Sequence, residues 1–157
     1  MTKEKFAEIA VDTAAVMYRV SKSILKNDAD CEDAAQEAIA IAFDKLGTLK
    51  NDGFAKTWLI RILINECYAI LRKRRYEGFT EAEPVERMNE DEDYSDLYQA
   101  LNRLPADYRV TIVLHYIEGY SVDEIAQILN VSDGTVKSRL SRGRKKLRKF
   151  FEEDDYE

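Results

Sequence analysis

A chain of 157 residues can hold one domain or two small ones, and its 2 prolines and 6 glycines favour helices over turn-rich sheets. No apolar run approaches the length of a membrane span, so no membrane insertion is expected, and the opening MTKEKFAEIA lacks the apolar core of a secretion signal. A structural zinc site needs about four ligands, which 2 cysteines without metal-ligand spacing and 1 histidine cannot readily supply. Cys31 and Cys67 lie in helical patterns and read as buried free thiols, in keeping with a reducing cytoplasm; no cofactor or metal is expected.

Three helices open the chain. The first runs from about Lys5 to Lys26, with Phe6, Ile9, Thr13, Val16, Met17, Val20 and Ile24 on one side. The second runs from about Asp30 to Leu46, turns Ala35, Ile39, Ala42, Phe43 and Leu46 inward, and stops at Gly47. Asp33, Gln36 and Glu37 follow i, i+3, i+4 spacing on this helix and share one face, either a solvated stripe or a surface for arginines of a partner helix. The third helix is capped near Asp52 and continues through Trp58, Leu59, Ile62, Leu63, Cys67, Ile70 and Leu71. It ends in the basic run Arg72-Lys73-Arg74-Arg75.

The net charge of −6 is segregated along the chain. Residues 77–94 hold eight acids against one base, Arg87, and with Gly78 and Pro84 and little apolar periodicity they read as a linker. Residues 152–157 form an acidic tail with five acids. The expected organisation is one helical bundle over residues 1–76, the linker, and a second bundle over 95–151 made of four shorter helices. Pro105 suits the first turn of the second of these four. No segment has a convincing strand period, so the fold class is all-α in two bundles.

The last two helices are a helix-turn-helix. Ser121 and Glu124 stand in capping-box spacing, and Ile125, Ala126, Ile128 and Leu129 form one apolar stripe. Asn130 sits where the chain must turn, and Ser132 can cap a second helix whose inward face is Val136, Leu140 and Leu147. Between 137 and 149 fall eight Lys or Arg and no acid, the electrostatic footprint of a helix built for a DNA major groove. Lys137, Ser138, Ser141 and Arg142 project away from the apolar stripe as candidates for base edges, with Arg139 for bases or backbone and Arg144 in the same basic face. Thr135 and the amides at the helix start, with Ser132, suit phosphate.

Several segments together resemble one family. Asp33-Ala34-Ala35-Gln36-Glu37-Ala38, Phe54-Ala55-Lys56-Thr57-Trp58-Leu59-Ile60-Arg61-Ile62, Asn65 and Arg72 to Arg75 are similar to region two of bacterial extracytoplasmic-function sigma factors, group four of the sigma-70 family. Leu104-Pro105-Ala106-Asp107-Tyr108-Arg109, Tyr116-Ile117-Glu118-Gly119-Tyr120-Ser121 and Gly134-Thr135-Val136-Lys137-Ser138-Arg139-Leu140 resemble region four. The resemblance spans nearly the whole chain in the family's order. It implies a non-enzymatic protein that binds core RNA polymerase, directs it to promoter DNA and helps open the duplex, and that is held by an anti-sigma factor until released.

The resemblance also assigns roles. Asp33, Gln36 and Glu37 would meet the polymerase clamp helices, and the loop over 51–56 with Asn65 would hold a flipped minus-ten base. Lys56 and Arg61 can neutralise phosphate, and Arg72, Lys73, Arg74 and Arg75 extend that positive surface. Trp58 is either core or a stacking platform. The recognition helix would read the minus-thirty-five element. With no GxxxxGK[ST] loop in the chain, strand opening would come from capturing unpaired bases rather than from hydrolysis. Two positions depart from the family pattern: Ser132-Asp133 stands where a proline is frequent, placing a carboxylate near phosphates, and Asn130 replaces a turn glycine. A response regulator with the same C-terminal helix-turn-helix would need a receiver of alternating strands and helices, which residues 1–75 do not show.

Overall fold

The computed structural model describes residues 1–78 and 95–154, and no strand occurs among them. The expected linker, apart from residues 77 and 78, and the end of the acidic tail lie outside the described residues. The chain divides into two compact units, within 1–80 and within 81–157.

The first unit holds α1 (Lys3–Leu25), α2 (Asp28–Asp44) and α3 (Ala55–Tyr76), each packed on the other two. Local chemistry sets the boundaries. Thr2 caps α1 by accepting from the Lys5 amide at 3.2 Å, and Asn27 caps α2 by accepting from the Asp30 amide at 2.9 Å. α2 therefore begins two residues before its expected start. Between the helices Lys26 adopts φ +68°, a left-handed conformation that costs a side-chain-bearing residue about 1–2 kcal/mol. Asp52 does not cap α3; it opens a short 3-10 turn, Asp52–Phe54, whose cap is Asn51 accepting from the Gly53 amide at 2.9 Å.

Burial in this unit follows the small residues. α2 contributes Ala34, Ala38 and Ala42 to the core, with Ala35, Ile39 and Phe43 half-buried at its edge. Alanines at four-residue spacing let α1 and α3 approach closely, and larger residues on either side close the gap. α3 buries Leu59, Ile60, Leu63, Ile64 and Cys67, while Trp58, Ile62, Ile70 and Leu71 are half-buried. Of the apolar positions named from the sequence, Leu59, Leu63 and Cys67 are thus fully buried, and Ile60 and Ile64 join them. Phe6 joins the helices at one end, edge-on to Phe43 at 5.1 Å and to Trp58 at 6.0 Å between ring centroids.

The second unit holds α4 (Ser95–Asn102), α5 (Ala106–Ile112), α6 (Val122–Leu129) and α7 (Asp133–Asp154). Pro105 sits one residue before α5, not inside its first turn, and its carbonyl accepts from the Tyr108 and Arg109 amides, both at 3.0 Å. α5 runs into a π turn, Val113–Ile117, closed by the Glu118 amide on the Val113 carbonyl at 3.0 Å. Val110, Leu114, Ile125, Ile128, Val136 and Leu140 form the core. Buried Arg109 donates to the Leu104 carbonyl. α7 crosses α5 at Gly143, where an added Cβ would come within 2.6 Å of Ile112 Cδ1, so the crossing distance depends on a missing side chain.

Candidate polymerase and nucleic-acid interfaces

On α2, Asp33, Gln36 and Glu37 are all exposed, opposite the buried alanine row. A helix whose inward face is only Ala-wide lies close to its neighbours and leaves its acidic and amide side chains clear of the unit. They can pair with cationic side chains of a partner at modest desolvation cost.

The candidate DNA residues of α3 fall into two sets. Arg61, Asn65 and Arg72 are exposed and lie in line on the outward face, at spacings of four and seven. Lys56 is exposed at the first turn, and Arg75 is exposed near the last. Arg74 is different. It follows Leu63, Cys67 and Leu71 around the inward side, where its guanidinium grips Asp30 with Nη2–Oδ1 at 2.6 Å and Nε–Oδ2 at 3.1 Å. The expectation of one continuous surface from Arg72 to Arg75 is corrected by this pair: Arg74 fastens α3 to the start of α2. Burial would raise the Asp30 carboxyl, but hydrogen bonds from Arg74 and Asn27 and the charge of Arg74 outweigh it and hold it below the usual carboxylate range. Trp58 is half-buried with its ring edge-on to Phe6, which places most of it in the core.

Two strongly exposed aromatic residues flank α3: Phe54, within the loop over 51–56, and Tyr76, which was not singled out by sequence. Phe54 is 58 % exposed in the 3-10 turn before α3, and Tyr76 is 93 % exposed at the end of α3. Periodicity could have found Tyr76, which falls four residues after Arg72 and three turns after Asn65.

The two cysteines are buried and free. Burial pushes the Cys31 thiol up to about 11, despite a hydrogen bond with Ser21 and the charge of Lys22, and raises Cys67 further. A thiol held protonated in this way is a poor nucleophile and a poor redox sensor.

In the second unit the helix-turn-helix has the expected local geometry. Ser121 Oγ accepts from the Glu124 amide at 3.1 Å while Glu124 accepts from the Ser121 amide at 3.0 Å. Asn130 turns the chain at φ +55°, and Ser132 accepts from the Thr135 amide at 3.1 Å. The Ser132 and Thr135 hydroxyls also share a hydrogen bond of 2.9 Å, so both belong to the cap as much as to any phosphate contact.

α7 buries Val136 and Leu140 and half-buries Leu147. Lys137 and Arg142 are exposed, and Ser138 and Ser141 are partly exposed between them. The flanking cations lean on the scaffold: Arg144 donates to the Tyr116 hydroxyl at 2.6 Å, Arg139 approaches Asp107 at 3.9 Å, and Lys146 lies 5.2 Å from the Tyr108 ring centroid. Their charges remain near the surface, but their positions are set by α5 and its π turn. His115 Nδ1 donates to the Tyr120 carbonyl at 2.8 Å, a packing role. At the start of α7, hydrogen bonding to Asp123, then burial and the Asp123 charge, raise the Asp133 carboxyl above the usual range, against the pull of Lys137.

Known proteins place this arrangement in a family. Residues 12–76 match the family described as Sigma-70 region 2, and residues 94–147 match Sigma-70, region 4. The chain is 32 % identical over 151 residues to RNA polymerase sigma factor SigV of Bacillus subtilis, covering 94 % of this chain and 91 % of that protein. It is 31 % identical over 166 residues to ECF RNA polymerase sigma factor SigW of the same organism, covering 94 % and 89 %. Among solved structures, the sigma factor RpoE of Bartonella quintana, crystallised with the anti-sigma factor NepR, superposes with a TM-score of 0.78 at 29 % identity, covering 96 % of each chain. Two region matches in order on one chain, with relatives matched along nearly their full length, lead to one conclusion: the chain belongs to the extracytoplasmic-function branch of the sigma-70 family and serves promoter-specific transcription initiation.

Proposed function

We propose that the chain docks on core RNA polymerase through the Asp33, Gln36 and Glu37 face of α2, reads the minus-thirty-five element with α7, and opens the promoter by holding unpaired minus-ten bases on the outward face of α3. The observation that carries the last step is the alignment of Arg61, Asn65 and Arg72, an amide between two cations on one exposed line. The cations neutralise phosphates, and the amide offers both donors and an acceptor to a base edge. Unstacking a base costs a few kcal/mol, which contacts made only to the extruded base can offset. No helix among the described residues is long and apolar enough to cross a membrane, and the proposed site of action is the cytoplasm, with the polymerase. By its likeness to RpoE, which was crystallised with NepR, an anti-sigma factor is the proposed regulator.

The test is reconstitution. Core polymerase with the purified chain should initiate at a cognate promoter, and 2-aminopurine at the minus-ten positions should report strand opening. Asn65→Ala should slow opening while closed-complex binding persists. Replacing Gln36 and Glu37 by Ala should weaken core binding. Opening kinetics unchanged by Asn65→Ala would overturn the base-capture step, and core affinity unchanged by the double substitution would overturn the docking face.

A further inference from the structure

The last turn of α3 ends in an open aromatic ring. Tyr76 is 93 % exposed, the most exposed large hydrophobic residue among those described. A single exposed ring is ordinary on a protein surface. This one is placed by the helix. At 3.6 residues per turn, Tyr76 projects about 20° from Asn65 and about 40° from Arg72, so it continues the same outward line. It stands eleven residues beyond Asn65, roughly 16 Å along the axis, too far to share one base with that amide.

The surroundings of Tyr76 select a ligand class. Arg72, Lys73 and Arg75 are exposed on the same final turns, and no acid lies on the outward line between Arg61 and Tyr76. The C-terminal end of a helix carries a partial negative charge that repels phosphate, and these cations reverse it locally. Arg74 does not contribute, being committed to Asp30. The ring has cations on its helix side and the exposed Glu77 after it. An open ring next to cations is the arrangement that binds single strands, with the ring stacking on a base and the cations holding phosphates. Paired bases inside a duplex present no free face to such a ring.

We infer that Tyr76, with Arg72 and Arg75, forms a second contact for unpaired DNA at the end of α3, a stacking platform separate from the Asn65 position. The inference rests on the proposed single-strand role of α3 and adds a second base to it. Tyr76 stacks on that base, and Arg72 and Arg75 neutralise the phosphates on either side.

The experiment uses holoenzyme and forked promoter DNA whose unpaired strand carries 2-aminopurine at one position at a time. One position should be quenched by stacking on Tyr76, distinct from the position that responds to Asn65→Ala. Tyr76→Ala and Tyr76→Leu should abolish that quenching and weaken fork binding by about fivefold to a hundredfold, the usual range for losing one stacked base. Tyr76→Phe should keep both. The salt dependence should not change with Tyr76→Ala, whereas Arg72→Ala should reduce its slope by about 0.7. If fork binding and quenching match wild type in both Tyr76→Ala and Tyr76→Leu while Asn65→Ala lowers them, the platform is rejected and the single-strand role of α3 stands. If Asn65→Ala and Arg61→Ala are equally silent, both fail. A loss of core polymerase affinity with unchanged quenching would assign the ring to a protein contact and overturn the inference.

Discussion

α3 and α7 are both 22 residues long, and both present basic residues to solvent, yet the roles proposed for them call for different forms of DNA. α3 buries a broad apolar face, and its outward line mixes cations with an amide and ends in an exposed ring. α7 buries a narrow stripe and gives most of its surface to Lys and Arg, several of them braced by Tyr116, Asp107 and Tyr108. Amides and rings reward unpaired bases, whereas fixed cations reward the regular phosphate rows and base edges of a duplex. Charge alone would not have separated the two.

The contrast can be broken first at the core. Leu63→Ala should destabilise the first unit by about 2–5 kcal/mol, as a cavity among fully buried side chains does. Duplex binding by α7 should persist, since Leu63 belongs to the other unit. Thermal unfolding followed by circular dichroism, alongside binding to minus-thirty-five duplex, checks this; a parallel loss of duplex affinity would show that the units depend on each other.

The Asp30–Arg74 pair comes next. Asp30→Ala leaves Arg74 without its carboxylate, and because the Arg74 side chain is 41 % exposed the cost should be about 1–3 kcal/mol. The sign with pH follows from the lowered Asp30 carboxyl. Its contribution is complete above the unfolded value of about 4 and is lost as pH falls through the lower folded value. Urea midpoints measured down an acid series should converge for wild type and Asp30→Ala.

On α7, Arg142→Ala should cost about 1–3 kcal/mol on the cognate minus-thirty-five sequence and less on one variant base pair. Lys145, an exposed cation of the same helix, should when changed to Ala weaken all sequences alike and lower the salt slope by about 0.9. Identical losses across every promoter variant for both changes would remove the case for direct readout. The smallest effect is expected at Ser121→Ala, about 1 kcal/mol of stability from the lost capping box, measured as a shift in the denaturation midpoint of the second unit.

The helix-turn-helix was legible because its signals are local. The capping box of Ser121 and Glu124, the left-handed Asn130 and the cap at Ser132 all act within a few residues. The inward face of α3 was not legible from periodicity, because Ile60, Ile62, Ile64 and Ile70 make that helix apolar around most of its circumference. Which of them is buried is decided by how closely Ala34, Ala38 and Ala42 let the helices approach. Arg74 was misplaced for a similar reason, since its partner lies 44 residues away. The π turn after Ile112 left no compositional mark, and the brace it gives Arg144 through Tyr116 was invisible with it.

The grip of Arg74 on Asp30 has a mechanical consequence. Asp33 lies one turn past Asp30, and Tyr76 lies two residues past Arg74, so a single clasp sits beside both the proposed polymerase face and the proposed base-holding end of the first unit. The two-pronged contact ties the start of α2 to the end of α3, so the distance between these two outer surfaces is set within the unit itself.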